Sequence, residues 1–176
     1  MVVAKQKWVQ AWLALSIAVQ GCQVQCPPSA PHPLLGEPVE IPSDSDIERD
    51  KPTTPNTAHL LPIEFWSPTC RPCLDRLRQL VARKRDFAEK GTTLKLVVIL
   101  DEDQSTKDAK NVLEQLHIHE AFDELKSEQS ITKLELSVLP ATWLLGAKNR
   151  LLWVAPSGAN EFEIECAARH FAATTE

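Results

Sequence analysis

The chain of 176 residues contains no tyrosine and only five glycines, and its charge is not basic. Scarce glycine argues against an all-β chain built on glycine-rich turns. A net charge of −5 lacks the basic footprint that nucleic-acid binding requires, so no nucleic-acid partner is expected. Five cysteines are too few for a disulfide scaffold at this length. What remains is ordinary globular composition, with room for one domain and appendages.

No apolar run at the N-terminus is long enough to span a membrane. Two lysines precede the short apolar stretch 8–19, which ends near Gly21 and Cys22. A spanning helix needs about 20 apolar residues. A positive start, a short apolar middle and a small residue at the end predict an export signal over residues 1–21. Export would place the cysteines where disulfides persist.

Gly21–Cys22 resembles the lipobox of bacterial lipoproteins, where the signal is cut before a cysteine that carries lipid. The resemblance implies lipidation at Cys22 and a location in the bacterial cell envelope, anchored to the membrane and facing the periplasm or the exterior. Gln20 departs from the usual small residue. A cleaved signal without lipid, an uncleaved anchor and an unprocessed cytoplasmic chain stay open.

Eight prolines crowd residues 23–57. Dense proline fixes φ and removes hydrogen-bond donors, so residues 22–57 are predicted to form the anchor cysteine and an extended, semi-rigid spacer. Such a spacer would hold a domain away from the bilayer. The alternative is that residues 34–41 pack as an edge strand.

Residues 58–176 carry the periodic signals of a folded domain. Apolar runs predict strands at 59–66 and 93–100, and a hairpin joins strands at 141–145 and 150–155. Helical patterns follow the first two strands, recur at 127–136 and close the chain. This order predicts an α/β domain, with a central mixed sheet of about four strands and helices on both faces.

Two cysteines stand three positions apart in FWSPTCRPC, residues 65–73. If Cys70 begins a helix, its sulfur lies near free backbone N–H groups and the positive end of the helix dipole. Pro72 suits the first turn, and Arg71 adds a cation. These effects favour a thiolate at Cys70, whereas Cys73, one turn inside, should stay a neutral thiol. The spacing predicts an attacking sulfur and a resolving sulfur, with a metal site as the competing interpretation.

FWSPTCRPC resembles the active-site stretch of the thioredoxin fold, and VLPATWLL at 138–145 resembles its second signature, a cis-proline loop followed by a strand. With the lipobox and spacer, the chain is similar to the membrane-tethered thiol–disulfide oxidoreductases of bacterial envelopes, of the TlpA and ResA type. Thr69 stands where that family usually has tryptophan. The β-hairpin that usually precedes the active-site strand is not evident.

The resemblance implies roles for further residues. A cis bond before Pro140 would turn the Leu139 backbone toward the sulfurs, where a substrate strand could pair with it. Trp66 should pack beside the cysteines, and Arg71 and Pro72 should shape the loop. Glu64 looks like the family's buried acid, which would take a proton from the resolving cysteine. The alternative is that Glu64 points to solvent on an edge strand.

The sequence therefore predicts an extracytoplasmic thiol–disulfide oxidoreductase that acts on protein thiols and disulfides and needs no cofactor beyond its redox-active disulfide. The resemblance adds apocytochrome c as a candidate substrate and a membrane thiol–disulfide protein as electron donor. Two other functions stay open. One is a copper or zinc carrier using both cysteines, although no third ligand has convincing spacing. The other is a non-catalytic lipoprotein that keeps the fold for binding.

The remaining cysteines and cations have structural interpretations. Cys166 lies on the apolar face of the last helix and is predicted to fill the core. Cys26 is predicted to be unpaired or bonded to Cys22. The cations of the helix after Cys73, Arg76 among them, are predicted to form a solvated face.

Overall fold

The computed structural model describes residues 26–41, 60–89, 92–136 and 138–174. The predicted export signal and Cys22 lie outside these ranges. Within them, no helix combines the length and the apolar character needed to cross a bilayer.

A five-stranded mixed sheet forms the centre of the domain. Its strands are β1 (Leu61–Trp66), β2 (Lys95–Leu100), β3 (Phe122–Lys126), β4 (Ala141–Leu145) and β5 (Leu151–Val154). The spatial order is β3-β2-β1-β4-β5. β1, β2 and β3 run parallel, whereas β4 and β5 are antiparallel to their neighbours. The predicted α/β class with a mixed sheet is confirmed.

The sheet has one strand more than the sequence predicts. The additional strand, β3, has the sequence FDELK and lies at the edge of the sheet beside β2. It contains no β-branched residue and three charged ones, so its composition gives little strand signal. Its alternating burial shows that the strand is only half covered.

In the described ranges, five α-helices flank the sheet: α1 (Arg71–Ala82), α2 (Lys84–Glu89), α3 (Thr106–Gln115), α4 (Ser127–Leu134) and α5 (Glu161–Thr174). The single helix predicted after Cys73 is wrong, because the chain breaks between α1 and α2 at Arg83. The Arg83 backbone N–H turns back to the carbonyls of Leu80 and Val81. The short second helix then buries Phe87 in the core.

Two apolar clusters lie on opposite faces of the sheet. Trp66 belongs to the cluster under α1, with Cys73 and Leu77. Ile63 and Phe65 belong to the other. Since successive strand residues point to opposite faces, the side chain of residue 64 shares the face of Trp66 and α1. The alternation along β1 thus places one polar side chain beneath the helix that carries the cysteines.

The segment 26–41, here called the N-terminal strap, packs along β5. Gly36 N–H donates to the Leu151 carbonyl at 2.8 Å, and Leu151 N–H donates to Glu37 at 2.9 Å. Val39 is buried in the second cluster. The predicted spacer is therefore wrong for these residues, and the edge-strand alternative is nearer the structure.

The strap makes only one isolated bridge with the sheet, between Pro38 and Arg150. Proline cannot donate to a ladder, so prolines are confined to edges and interrupt pairing there. The residues between the prolines supply the donors, including Ala30, whose N–H bonds to the Val154 carbonyl at 2.9 Å. A proline-rich segment can in this way be docked without forming a regular strand.

A disulfide joins the start of the strap to α5. Cys26 and Cys166 are bonded, with Cα atoms 5.5 Å apart and a sequence separation of 140. Cys166 is buried as predicted, at 7% exposure, but the expectations of a free core thiol and of a Cys22–Cys26 pair are wrong. Sequence spacing alone does not reveal a contact across 140 positions.

We expect the Cys26–Cys166 disulfide to stabilise the domain by closing a long loop. Cys26→Ala, Cys166→Ala and the double variant should each lower the free energy of unfolding by the same amount, roughly 2–5 kcal/mol, because each removes the same cross-link. Urea denaturation under oxidising conditions measures this. A loss in Cys166→Ala that Cys26→Ala does not share would assign the effect to a cavity instead.

Candidate active site

Cys70 and Cys73 form a disulfide at the N-terminus of α1, with Cα atoms 5.2 Å apart. Cys70 is the N-cap residue, and the backbone N–H of Cys73 donates to its Sγ at 3.3 Å. Pro72 occupies the first turn, where a missing N–H leaves no bond unmade. A helix N-terminus offers unpaired N–H groups, and these stabilise a thiolate on Cys70 when the pair is reduced.

The two sulfurs differ in accessibility. Cys73 is fully buried, at 0% exposure, whereas Cys70 is half-buried. Arg71 and Pro72, between them, are exposed. An incoming protein can therefore reach Cys70 and not Cys73, as an attacking and a resolving sulfur require.

Thr69 connects the cysteine loop to the loop after β2. Its Oγ1 accepts a hydrogen bond from Gln104 Nε2 at 3.3 Å and lies 3.2 Å from Ser67 Oγ. The TlpA- and ResA-type proteins usually have tryptophan at this position, and a tryptophan has no oxygen that could accept the bond from Gln104. Thr69 instead makes the rim beside Cys70 polar.

A groove of about 560 Å³ opens beside the cysteine loop. The Leu139–Pro140 peptide bond, at the start of β4, is cis. Leu139 and Pro140 form one wall of the groove, α1 forms another, and the connection from β5 to α5 forms the third. The structure thus brings the predicted docking residues Pro72, Leu139 and Pro140 together. The complete lining is Pro72, Asp75, Arg76, Gln79, Leu139, Pro140, Thr142, Ala155, Pro156, Ser157, Gly158, Ala159 and Asn160.

Glu64 is fully buried, at 0% exposure, in the central strand of the sheet. The edge-strand alternative is therefore wrong. Its Oε2 accepts a hydrogen bond from Thr142 Oγ1, the residue directly opposite on β4. Its Oε1 lies 3.9 Å from Arg76 Nε on α1. Glu64 thus lies beneath the first turns of the helix that carries Cys73.

Burial raises the pKa of Glu64 to about 8. Desolvation is the largest cause, because a carboxylate loses its hydration inside the protein. The Thr142 hydrogen bond and the Arg76 charge lower the pKa, but they offset only part of the rise. The carboxyl group can therefore exchange a proton near neutral pH.

Arg76 belongs to this site, although the sequence predicts a solvated cation. Its side chain is only 10% exposed. The guanidinium donates to the Ala159 carbonyl and, at 3.2 Å, to Thr142 Oγ1. Helical spacing carried the available signal, because a residue three positions after Cys73 lies on the same side of α1. Because arginine is charged, the sequence predicts an exposed side chain at this position instead.

Trp66 lies in the apolar cluster on the α1 face of the sheet. It is fully buried in the cluster that holds Cys73 and meets Phe122 edge to face, with ring centroids 6.3 Å apart. Over the part of the chain that the structure describes, no three histidine, cysteine or acidic residues gather to hold a metal ion.

No protein-family model and no curated protein matches the sequence significantly. Solved structures do match the fold. The thioredoxin domain of a thiol-disulfide oxidoreductase from Bacteroides vulgatus aligns with a TM-score of 0.54 and 15% identity, over 66% of this chain and 81% of that one. The pneumococcal exposed lipoprotein thioredoxin from Streptococcus pneumoniae aligns at 0.54 and 18%, over 65% and 86%. The chain has a thioredoxin-like fold.

A thiol:disulfide interchange protein of the thioredoxin family from Chlorobium tepidum also aligns, with a TM-score of 0.52 and 13% identity, over 64% of this chain and 79% of that one. At these identities the similarity establishes the fold alone. Within the thioredoxin-like fold, the chemistry rests on the residues that this chain brings together.

We expect Glu64 to lower the free energy of unfolding as pH rises from about 4.5 to about 8, which gives the plot of this free energy against pH a negative slope. The folded protein keeps the Glu64 proton up to about pH 8, whereas an ordinary glutamate releases it near 4.5. The stability from this bound proton is complete below the lower value and is lost as pH rises to the upper one. The slope is at most about 1.4 kcal/mol per pH unit. Glu64→Gln should remove this slope, because the amide does not titrate.

Urea denaturation of the oxidised protein between about pH 5 and pH 8 measures this slope. The matched control is Glu114→Gln, on the exposed face of α3, which should keep the wild-type slope. An unchanged slope in Glu64→Gln would contradict the raised pKa.

Proposed function

We propose that this protein is an extracytoplasmic thiol–disulfide oxidoreductase that exchanges disulfides with protein substrates through Cys70 and Cys73. One observation carries the proposal. Half-buried Cys70, at a helix N-cap, is bonded to buried Cys73 one turn later, beside a groove that a cis-proline loop lines.

The first half of the reaction forms a mixed disulfide. In the reducing direction, the Cys70 thiolate attacks one sulfur of a substrate disulfide, and the bond between the two substrate sulfurs breaks. The leaving substrate sulfur departs as a thiolate and takes a proton from solvent. Cys70 is then joined covalently to the substrate.

The second half releases the substrate. Glu64 takes the proton of the Cys73 thiol, and the Cys73 sulfur attacks Cys70. The Cys70–Cys73 bond forms, the bond to substrate breaks, and the second substrate thiolate takes up the proton. Two electrons have passed to the substrate, so a further thiol–disulfide protein must reduce the pair before another cycle. The same steps in reverse oxidise a dithiol.

The groove suits an extended peptide rather than a small polar molecule. Proline, leucine and alanine supply about half of its lining residues, and Pro72, between the two cysteines, lines it together with Leu139 and Pro140. A substrate strand that pairs with the Leu139 backbone would bring its cysteine to Cys70. By family resemblance, apocytochrome c is a candidate substrate and a membrane thiol–disulfide protein is the candidate donor.

An envelope location follows from the same proposal. The described residues contain two disulfides, and disulfides persist outside the cytoplasm. If Cys22 carries lipid, three residues lie between it and Cys26, so four residue-to-residue steps separate the two cysteines. Fully extended, they reach about 14 Å. The domain would then lie close to the membrane, because the proline-rich strap is docked on the sheet.

Cys73→Ser should trap substrates, because the attacking sulfur remains and the resolving sulfur is gone. Incubated with a disulfide-containing protein, this variant should accumulate adducts that migrate more slowly on non-reducing gels and map to Cys70 by mass spectrometry. Cys70→Ser is the matched control and should give none. Without adducts in Cys73→Ser, the protein is better described as a non-catalytic binding lipoprotein.

The reduction potential of Cys70–Cys73 separates the two directions of exchange. A value near about −270 mV indicates a reductant, and one near about −120 mV indicates an oxidant. The protein measured should retain Cys26 and the strap, since both are part of the folded domain.

A further inference from the structure

Arg76 joins three parts of the site. From α1, its guanidinium donates to Thr142 Oγ1 on β4 and to the Ala159 carbonyl after β5. Its Nε lies 3.9 Å from Glu64 Oε1 on β1. Two hydrogen bonds therefore hold the Arg76 side chain in place independently of its contact with Glu64.

The hydrogen bonds around Thr142 have a fixed direction. A guanidinium can only donate, so Thr142 Oγ1 must accept from Arg76. The single hydroxyl proton of Thr142 is then directed to Glu64 Oε2, which accepts it. If Glu64 is ionised, Oε2 accepts this hydrogen bond, whereas Oε1 has no hydrogen-bond partner among the described residues and is the oxygen open to a proton. Arg76 therefore determines, through Thr142, which oxygen of Glu64 exchanges a proton.

The contact between Arg76 and Glu64 acts through charge. The distance of 3.9 Å from Nε to Oε1 exceeds hydrogen-bond length, and among the described residues neither atom has a hydrogen-bond partner. A Coulombic contact favours the carboxylate over the neutral acid, as the hydrogen bond from Thr142 also does. Arg76 thus opposes the effect of burial on Glu64.

Among the described residues, the charge that acts on Glu64 is that of Arg76. Asp75, also on α1, is exposed and pairs with Arg78 at 3.0 Å. On β2, the residue in register with Glu64 is Leu96, which is buried and apolar. The connection from β5 to α5 contributes the neutral carbonyl of Ala159. In the reduced protein, Cys73 adds a thiol on the inward side of α1.

We infer that Arg76 is a positioning residue for Glu64: it directs the Thr142 hydroxyl to Oε2 and holds the carboxylate so that Oε1 exchanges the proton of Cys73. The inference deepens the proposed function and rests on it for the Cys73 step. The arrangement of Glu64, Thr142 and Arg76 itself is independent of any substrate.

Arg76→Met tests the effect of the Arg76 charge, because methionine is an unbranched side chain without a charge. In the reduced full chain, the Glu64 carboxyl should titrate at a pH higher by about one unit or more, followed by carbon NMR of labelled glutamate. The rate at which Cys73 resolves a mixed disulfide should shift to higher pH by the same amount and recover at high pH. Arg76→Lys, which keeps the charge, should retain most of the wild-type profile.

Arg78→Met is the matched control, because Arg78 lies on the same helix but is exposed and pairs with Asp75. It should leave both titrations unchanged. Thr142→Val gives a second test if Arg76→Met does not fold. The Glu64 pKa should rise when the hydroxyl is removed, and Thr142→Ser should restore it.

The outcomes separate the inference from the proposed function. If the Glu64 titration is the same in Arg76→Met and wild type, or if exchange falls equally at every pH, the inference is overturned. If Glu64 shifts as expected but Cys70 never forms adducts with a disulfide substrate, the role of Arg76 toward Glu64 stands, whereas the proposed function and the Cys73 step fail.

Discussion

The burial of the Glu64 carboxyl is the constraint around which the site is arranged. In the central strand, beneath α1, the group has no access to water, and an ionised carboxylate there is costly unless polar groups face it. β4 supplies Thr142 in register, and α1 supplies Arg76 three residues after Cys73. The helix that carries Cys70 and Cys73 therefore also carries Arg76, the cation that acts on Glu64. The position of this helix is thus coupled to the charge state of Glu64.

Two opposite electrostatic environments lie one helical turn apart. At the N-cap, the amide of Cys73 is directed at the sulfur of Cys70 and favours negative charge there. One turn further, Cys73 is enclosed by apolar side chains and favours the neutral thiol. The proposed attacking and resolving sulfurs need this difference, and the helix N-terminus and the apolar cluster beneath it supply it.

Short sequence motifs predicted most of the residues of this site. They could not predict the contacts between segments that are distant in the sequence. The CxPC spacing, the proline at N1 or N2 and the cis-proline signature depend on a few neighbouring residues, so Cys70, Cys73 and Pro140 could be placed in advance. Arg76 could not, because charge normally indicates exposure and its partners come from β1, β4 and the connection after β5. The sequence did not predict strand β3, because its composition is that of a charged edge strand. It did not predict the Cys26–Cys166 disulfide either, because the two cysteines are 140 positions apart.

The two disulfides are buried to a similar degree, because each joins a buried cysteine to a half-buried one, but their surroundings differ. Cys166 is buried in α5, and the bond to Cys26 is held by a strap with its own hydrogen bonds to β5. Cys70 is half-buried, as Cys26 is, but it lies two residues before Pro72, which lines the groove. Exchange requires a thiolate to reach a sulfur in line with the bond, so rates follow accessibility as well as acidity. A chain that keeps both bonds in one domain can therefore present one to its partners while the other secures the segment nearest its proposed anchor.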